Sequence, residues 1–135
     1  YEALYEQNPG SILYVNNLVS LLAEHREDDE EAIAFAARAA QRLRGYDIPH
    51  LQDTYGWVMF LNEDYAAALR SLEAAAEGLP DNSLVRYHLG RAYAALDQTE
   101  AARTELEASL ELDPDFPKAA SARAVLEALP ASAGE

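Results

Sequence analysis

The chain has 135 residues, the size of a single domain, which leaves no room for a separate catalytic domain. Its 27 alanines and 19 leucines, against 11 Val, Ile and Thr residues together, predict an all-α fold. Ten basic and 24 acidic residues give a net charge of −14, which argues against nucleic acid as a ligand, and the absence of cysteine excludes disulfides and thiolate metal sites.

Segments of helical periodicity alternate with proline, glycine and acidic residues along the chain. Helices are predicted at 12–25, 29–44, 50–61, 65–78, 82–96, 98–112 and 116–129. Asp28 and Asp97 are expected to cap the helices that follow them, and Asp115 to begin the last helix. The longest uncharged stretch is interrupted by asparagine and proline, so no membrane span is predicted.

Four residue types recur at an interval of 34 residues, which indicates a repeat array. The recurring pairs are Gly56 and Gly90, Ala68 and Ala102, Leu72 and Leu106, and Pro80 and Pro114. Glycine inside a helix costs about 1 kcal/mol relative to alanine, so these glycines predict a close approach of two helices. Gly56, Ala68, Pro80, Gly90, Ala102 and Pro114 form the expected packing signature, and Ala32 and Ala39 are expected to serve the same contact in the first unit.

Two units align without a gap and resemble the tetratricopeptide repeat. One reads Gln52-x-x-Tyr55-Gly56-x-x-Met59, and the next reads Arg86-x-x-Leu89-Gly90-x-x-Tyr93. Gln52 and Arg86 stand where the family usually has Trp. The resemblance implies a right-handed superhelical solenoid of about three helix hairpins with a C-terminal capping helix. Its parts are the tail of an earlier repeat at 1–9, a degenerate repeat at 12–44, repeats at 49–80 and 83–114, a capping helix at 116–129 and a tail at 130–135.

A narrower resemblance lies on top of the repeat pattern. Asn16-Asn17-Leu18, Asp53-Thr54-x-Gly56-Trp57 and Tyr87-His88-Leu89-Gly90 are similar to motifs of the bacterial tetratricopeptide proteins associated with exopolysaccharide and PEP-CTERM sorting systems. This similarity implies a bacterial scaffold that is often exported or attached to the envelope. Because the sequence begins with Tyr1, we expect it to be part of a longer protein with repeats upstream. The sequence does not distinguish between the periplasm, the envelope and the cytoplasm as the location of the protein.

In this family the first helix of each hairpin lines a concave groove. The resemblance therefore implies a groove lined by Leu13, Asn16, Ser20, His50, Asp53, Trp57, Phe60, Leu84, Tyr87 and Arg91. Exposed aromatic side chains are natural anchors for a partner, and Phe60 and Tyr87 are expected to be partly exposed. Trp57 either lies in the groove or packs between hairpins as core.

Polar residues stand at equivalent places in three hairpins, and adjacent first helices are expected to bring them together. The expected ladder of hydrogen bonds consists of Asn16, Asn17, Asp53, Thr54, Tyr87 and His88. Ligand recognition by these residues is the alternative. The acidic run at 27–31 is interpreted as a solvated turn and helix start, with docking of a basic partner as the alternative.

No nucleophile motif, phosphate-binding glycine loop or zinc-type histidine pair is found, and His50 with Asp53 is only a weak metal candidate. We therefore expect no enzyme, cofactor or metal site. The predicted function is a scaffold that holds a protein or peptide, neutral to basic with apolar anchors, in its groove. The alternative is a structural C-terminal cap of a longer solenoid whose binding surface lies upstream. A homo-oligomer through the exposed face of the first repeat is a further expectation.

Overall fold

The computed structural model describes residues 9–130 of the chain. The expected tail of an earlier repeat at 1–9 lies, apart from Pro9, outside the described residues, as do residues 131–135. The described range is all-α. It contains α1 (Pro9–His25), α2 (Glu30–Ala40), a short 3₁₀-helix (Gln41–Leu43), α3 (Pro49–Leu61), α4 (Tyr65–Gly78), α5 (Ser83–Ala95), α6 (Thr99–Leu112) and α7 (Ala119–Ala128).

The helices form three successive hairpins, α1 with α2, α3 with α4 and α5 with α6, and α7 packs on α6. Neighbouring hairpins contact each other through α1 and α3, α2 and α3, and α4 and α5. A single helix pair cannot bury its own apolar face, so stacking of the pairs creates one continuous core. The structure is therefore the helix-hairpin solenoid predicted from the repeat period.

The packing signature lies where the two helices of a hairpin come closest. A Cβ atom added at Gly56 would lie 2.7 Å from Leu72 Cγ, and one added at Gly90 would lie 2.7 Å from Leu106 Cγ. Real Cβ atoms do not approach neighbours this closely, so only glycine fits at either position without a shift. Ala68 and Ala102 are fully buried in the second helices, whereas Pro80 and Pro114 lie in exposed turns.

The first hairpin departs from the predicted register. Ala32 and Ala39 are only partly buried, and the buried face of α2 is formed by Ile33, Ala36, Ala37 and Ala40. Counted from the N-cap, Ile33 follows Asp29 as Ala68 follows Asp64, so Ile33 rather than Ala32 holds the equivalent position.

The predicted roles of three aspartates at helix starts are wrong, and backbone geometry explains each. Asp29 rather than Asp28 caps α2, and its Oδ1 accepts hydrogen bonds from the backbone N–H groups of Glu31 and Ala32. Asp97 adopts a φ of 61° in the turn, so Gln98 takes the cap position of α6 without a side-chain bond. Asp115 donates its backbone N–H to Asp113 Oδ1 in a turn, and α7 begins only at Ala119.

The last helix and the residues on either side of it cover the third hairpin. Phe116, Ala119 and Ala122 are buried, and Val125, Leu126 and Leu129 pack against the core. The Phe116 ring meets the Tyr87 ring edge-on, with the centroids 6.0 Å apart. Within residues 9–130, none of the helices combines the length and the hydropathy that crossing a bilayer requires.

Candidate functional site

A pocket of about 180 Å³ lies where the first helices of the three hairpins meet the segment before α7. We refer to it as the first-helix pocket. Its lining includes Ser20, Ala23, Glu24 and Glu27, then Asp53, Thr54 and Trp57, then Leu84 and His88, and finally Pro117 and Lys118. Pockets for small-molecule ligands usually measure about 300–1,000 Å³, so this pocket has room for little more than one amino-acid side chain.

A buried hydrogen bond joins two hairpins at the pocket. His88 Nδ1 on α5 lies 2.8 Å from Asp53 Oδ1 on α3, and both side chains are largely buried. An ionised carboxylate can only accept hydrogen bonds, so the His88 ring donates its Nδ1–H to Asp53. In the neutral ring, Nε2 is then left as a hydrogen-bond acceptor.

A second polar contact joins the first two hairpins. Ser20 Oγ lies 3.3 Å from Thr54 Oγ1, and the Thr54 hydroxyl donates to the backbone oxygen of His50 at 3.1 Å. Because Thr54 has only one hydroxyl hydrogen, Ser20 donates to Thr54 Oγ1. Ser20 lines the pocket, and its Oγ keeps its capacity to accept a hydrogen bond.

The predicted ladder is therefore only partly formed. Asp53 with His88 and Thr54 with Ser20 bridge neighbouring hairpins, whereas Asn17 is exposed. The buried Oδ1 of Asn16 has no hydrogen-bond partner among residues 9–130. The Tyr87 hydroxyl bonds within its own helix, to Arg91. Ser20, about one helical turn after Asn17 on α1, is the residue that contacts Thr54.

The three predicted aromatic anchors belong to the core. Trp57 is 7% exposed, Phe60 9% and Tyr87 only 1%. The Trp57 ring stacks between Phe60 at 4.7 Å and His88 at 4.1 Å, measured between ring centroids. The expectation that Phe60 and Tyr87 are partly exposed is wrong, because adjacent first helices cover these rings. Trp57 packs as core and shows only an edge to the first-helix pocket.

Arg91 is held by the same aromatic cluster. Its guanidinium lies 5.2 Å from the Phe60 ring centroid, 5.6 Å from Tyr87 and 5.8 Å from Trp57. It also donates a hydrogen bond to the Tyr87 hydroxyl. Cation–π contacts and this hydrogen bond already engage the positive charge, so Arg91 is not an open anion receptor.

The remaining predicted groove residues lie apart from the pocket or at its edge. His50 is exposed in the first turn of α3, and Leu13 is 60% exposed on α1. Leu84 is partly exposed and lines the pocket. Sequence reasoning did not single out Glu24. The sequence feature that could have identified Glu24 is its spacing: Asn16, Ser20 and Glu24 follow one another at four-residue intervals and so share one face of α1.

One titratable group outside the pocket is perturbed. Burial, followed by the hydrogen bond that Tyr93 donates to Glu73 Oε2 at 2.8 Å, raises the pKa of Tyr93 from 10.0 to about 12. Arg86 lies close by and bonds Glu105 at 2.8 Å, so this cluster joins α4, α5 and α6. Within the part of the chain that the structure describes, no group of three or more His, Asp or Glu side chains is arranged to hold a metal ion.

The comparisons with known proteins agree with this architecture. A family profile described as Tetratricopeptide repeat matches residues 59–126, slightly more than half of the chain. The matched region runs from the end of α3 into α7 and contains the whole of α4, α5 and α6. No curated protein matches the chain.

Proposed function

The chain belongs to the tetratricopeptide repeat family, and from that premise we propose that the face formed by α1, α3 and α5 binds a protein or peptide segment that is neutral to basic overall. Repeats of this family generally mediate protein–protein interaction. The observation that carries the proposal is the first-helix pocket, because side chains from all three first helices line it. A partner that contacts this face would engage three hairpins at once.

The charge of the face supports a neutral to basic partner. Glu24, Glu27 and Asp53 line the pocket against one lysine, Lys118. A groove that clamps a C-terminal carboxylate needs several fixed cationic donors, and Arg91 is already engaged by aromatic rings. The net charge of −14 would also speed the approach of a basic partner at low salt.

Apolar contact on this face comes from aliphatic side chains rather than from the buried rings. Leu84 is 39% exposed and lines the pocket together with Ala23 and Pro117. These residues offer a partner an apolar contact surface next to the carboxylates. We propose that Leu84 is the principal apolar contact.

Fluorescence of Trp57, the only tryptophan, gives a direct test because its ring lines the pocket. We expect a basic peptide pool to change the emission at low salt, and an acidic pool to leave it unchanged. Leu84→Asp should weaken binding of the basic pool. Leu112→Asp is the matched control, since Leu112 is 41% exposed and lies on α6, away from the pocket. Tighter binding of the acidic pool, or equal losses in both variants, would refute the proposal.

A second candidate function is a structural cap for a longer solenoid. It is supported by α7, which covers the third hairpin, and by Leu13 and Tyr14 on α1, which are 60% and 63% exposed. In that case a longer chain with upstream repeats would bind the partner and the present chain alone would not. Comparing the two in a pull-down with the same partner separates the candidates.

Self-association through the first hairpin is a related proposal. The exposed surface of α1 carries Leu13, Tyr14 and Leu21, and Phe35 is 47% exposed on α2. Sedimentation of the chain at increasing concentration should show association, and Leu13→Gln with Leu21→Gln should reduce it. Monomeric behaviour of the parent chain at every concentration would exclude this interface.

A bacterial envelope or exopolysaccharide role is the narrowest part of the proposal. The sequence motifs Asn16-Asn17-Leu18 and Asp53-Thr54-x-Gly56-Trp57 support it. The test is to disrupt the gene in its host and to measure secreted polysaccharide, with the intact gene restored as control. Unchanged secretion would contradict the envelope or exopolysaccharide role and would leave the scaffold proposal itself standing.

A further inference from the structure

We propose that the first-helix pocket is a binding site for a single basic side chain, lysine or arginine, of the partner. This inference rests on the proposed function and names the group that the pocket recognises. It follows from the kind of hydrogen-bonding atoms around the pocket, from its charge and from its size.

The atoms available to an occupant are almost all acceptors. His88 is 5% exposed, its Nδ1–H is committed to Asp53, and its Nε2 has no hydrogen-bond partner within residues 9–130. Nε2 is not sealed from solvent and His88 lines the pocket, so an occupant can reach it. Ser20 Oγ also presents lone pairs, because its hydrogen is donated to Thr54. A donor brought by a ligand would satisfy both acceptors.

The charge of the lining favours the same occupant. Glu24 and Glu27 are exposed, and Asp53 is partly buried and bonded to His88. Lys118 is the one lysine or arginine among the described residues that line the pocket. The pocket therefore carries an excess of negative charge, and a cationic donor fits where a carboxylate would be repelled.

The shape of the pocket selects a long amphipathic side chain. Leu84, Ala23 and Pro117 line its apolar part, against which the methylene stem of lysine or arginine can pack while the charged head reaches the acceptors. A volume of about 180 Å³ is below the usual range for drug-sized ligands and suits one side chain.

Four five-residue peptides test the inference. They are Ac-Ala-Ala-X-Ala-Ala-NH₂ with X as arginine, lysine, citrulline or norleucine, titrated against the intact chain by Trp57 fluorescence and by NMR of the His88 ring. Citrulline keeps the length and planar head group of arginine, but it is uncharged and has a carbonyl oxygen in place of one NH₂ group. We expect the arginine and lysine peptides to bind roughly fivefold or more tightly than the other two.

Variants of the chain test whether the peptides bind in the first-helix pocket. Glu24→Gln with Glu27→Gln should weaken binding of the arginine peptide by about fivefold, and Lys118→Gln should strengthen it. Glu107→Gln with Glu111→Gln is the matched control, because it removes the same charge from exposed positions of α6 outside the pocket.

Three outcomes would overturn the inference. They are equal binding of the arginine and citrulline peptides, equal losses in the two double-glutamine variants, and no binding of any of the four peptides. The proposed function is judged separately by the long peptide pools and Leu84→Asp. If the chain binds the basic pool but fails these tests, the proposed function stands and the first-helix pocket is not a site for a basic side chain.

Discussion

His88 and Asp53 stand 35 residues apart in sequence, yet His88 Nδ1 lies 2.8 Å from Asp53 Oδ1, and the bond ties the third hairpin to the second. The same His88 ring stacks on Trp57 with the two rings 16° from parallel. The pair therefore sets the register of α5 on α3 and also fixes which nitrogen of His88 faces the first-helix pocket.

Removal of the Asp53 carboxylate should destabilise the chain. We expect Asp53→Ala to lower the free energy of unfolding by about 1–3 kcal/mol, because the buried His88 N–H loses its acceptor. Asp53→Asn keeps an acceptor and should cost less. Denaturant melts of Asp53→Ala, His88→Ala and the double variant give the coupling energy, which we expect to be about 1 kcal/mol. Strictly additive losses would show that the bond contributes nothing to stability.

A side chain at Gly90 should separate the helices of the third hairpin. Gly90→Leu is expected to cost about 2 kcal/mol or more, since even its Cβ would lie 2.7 Å from Leu106 Cγ and Leu106 is fully buried. Ala95→Leu adds the same bulk at an exposed position of α5 and should change stability by less than about 0.5 kcal/mol. Thermal melts compare the two. A Gly90→Leu variant as stable as the parent would contradict the close approach.

The short turns of the second and third hairpins store backbone strain at matching positions. Glu63 has a φ of 66° and Asp97, 34 residues later, a φ of 61°. The left-handed conformation costs an L-residue about 1–2 kcal/mol, and glycine avoids that cost at some loss of chain entropy. Glu63→Gly should therefore stabilise the chain by about 0.5 kcal/mol, and Asp97→Gly by less, because aspartate tolerates this conformation better.

Gly45→Ala is the control for this strain. Gly45 has a φ of 90°, and a Cβ there would meet no atom within 4 Å, so any loss on substitution comes from the backbone conformation alone. We expect a loss of about 1 kcal/mol in a denaturant melt. A destabilised Glu63→Gly variant would show that the chain entropy lost with glycine, together with any contacts of the Glu63 side chain, outweighs the strain.

Stability should fall at alkaline pH partly through Tyr93. Burial and the hydrogen bond to Glu73 raise its pKa to about 12, above the 10.0 expected in the unfolded chain. The unfolded chain therefore loses this proton first, so the contribution of Tyr93 to stability is complete below pH 10 and is lost as the pH rises through 12. Thermal midpoints measured from pH 9 upward should fall less steeply in Tyr93→Phe than in the parent.

Tyr14→Phe is the matched control, because the Tyr14 ring is 63% exposed. Its melting midpoints should follow those of the parent across the same pH range. If Tyr93→Phe also follows the parent, the raised pKa of Tyr93 makes no contribution to the pH dependence of folding.

The sequence by itself determined the hairpin architecture. The 34-residue step, the paired glycines Gly56 and Gly90 and the abundance of strong helix formers identify the hairpins, and most helix ends lie within one residue of the prediction. These features are local or strictly periodic. A propensity acts within a few residues, and a glycine required at a close approach recurs wherever the repeat does.

Only the tertiary structure decided which side chains are core and which line a pocket. Trp57 and Phe60 on α3, and Tyr87 on α5, would suit an exposed face of an isolated helix equally well, and contacts between the two hairpins help to bury them. Glu24 and Lys118 line the same pocket, although more than 90 residues separate them in the chain. Distances between helices depend on how successive hairpins rotate and on the extra residue in the first turn. No periodic pattern in the sequence encodes that rotation, so the pocket exists only once the hairpins are stacked.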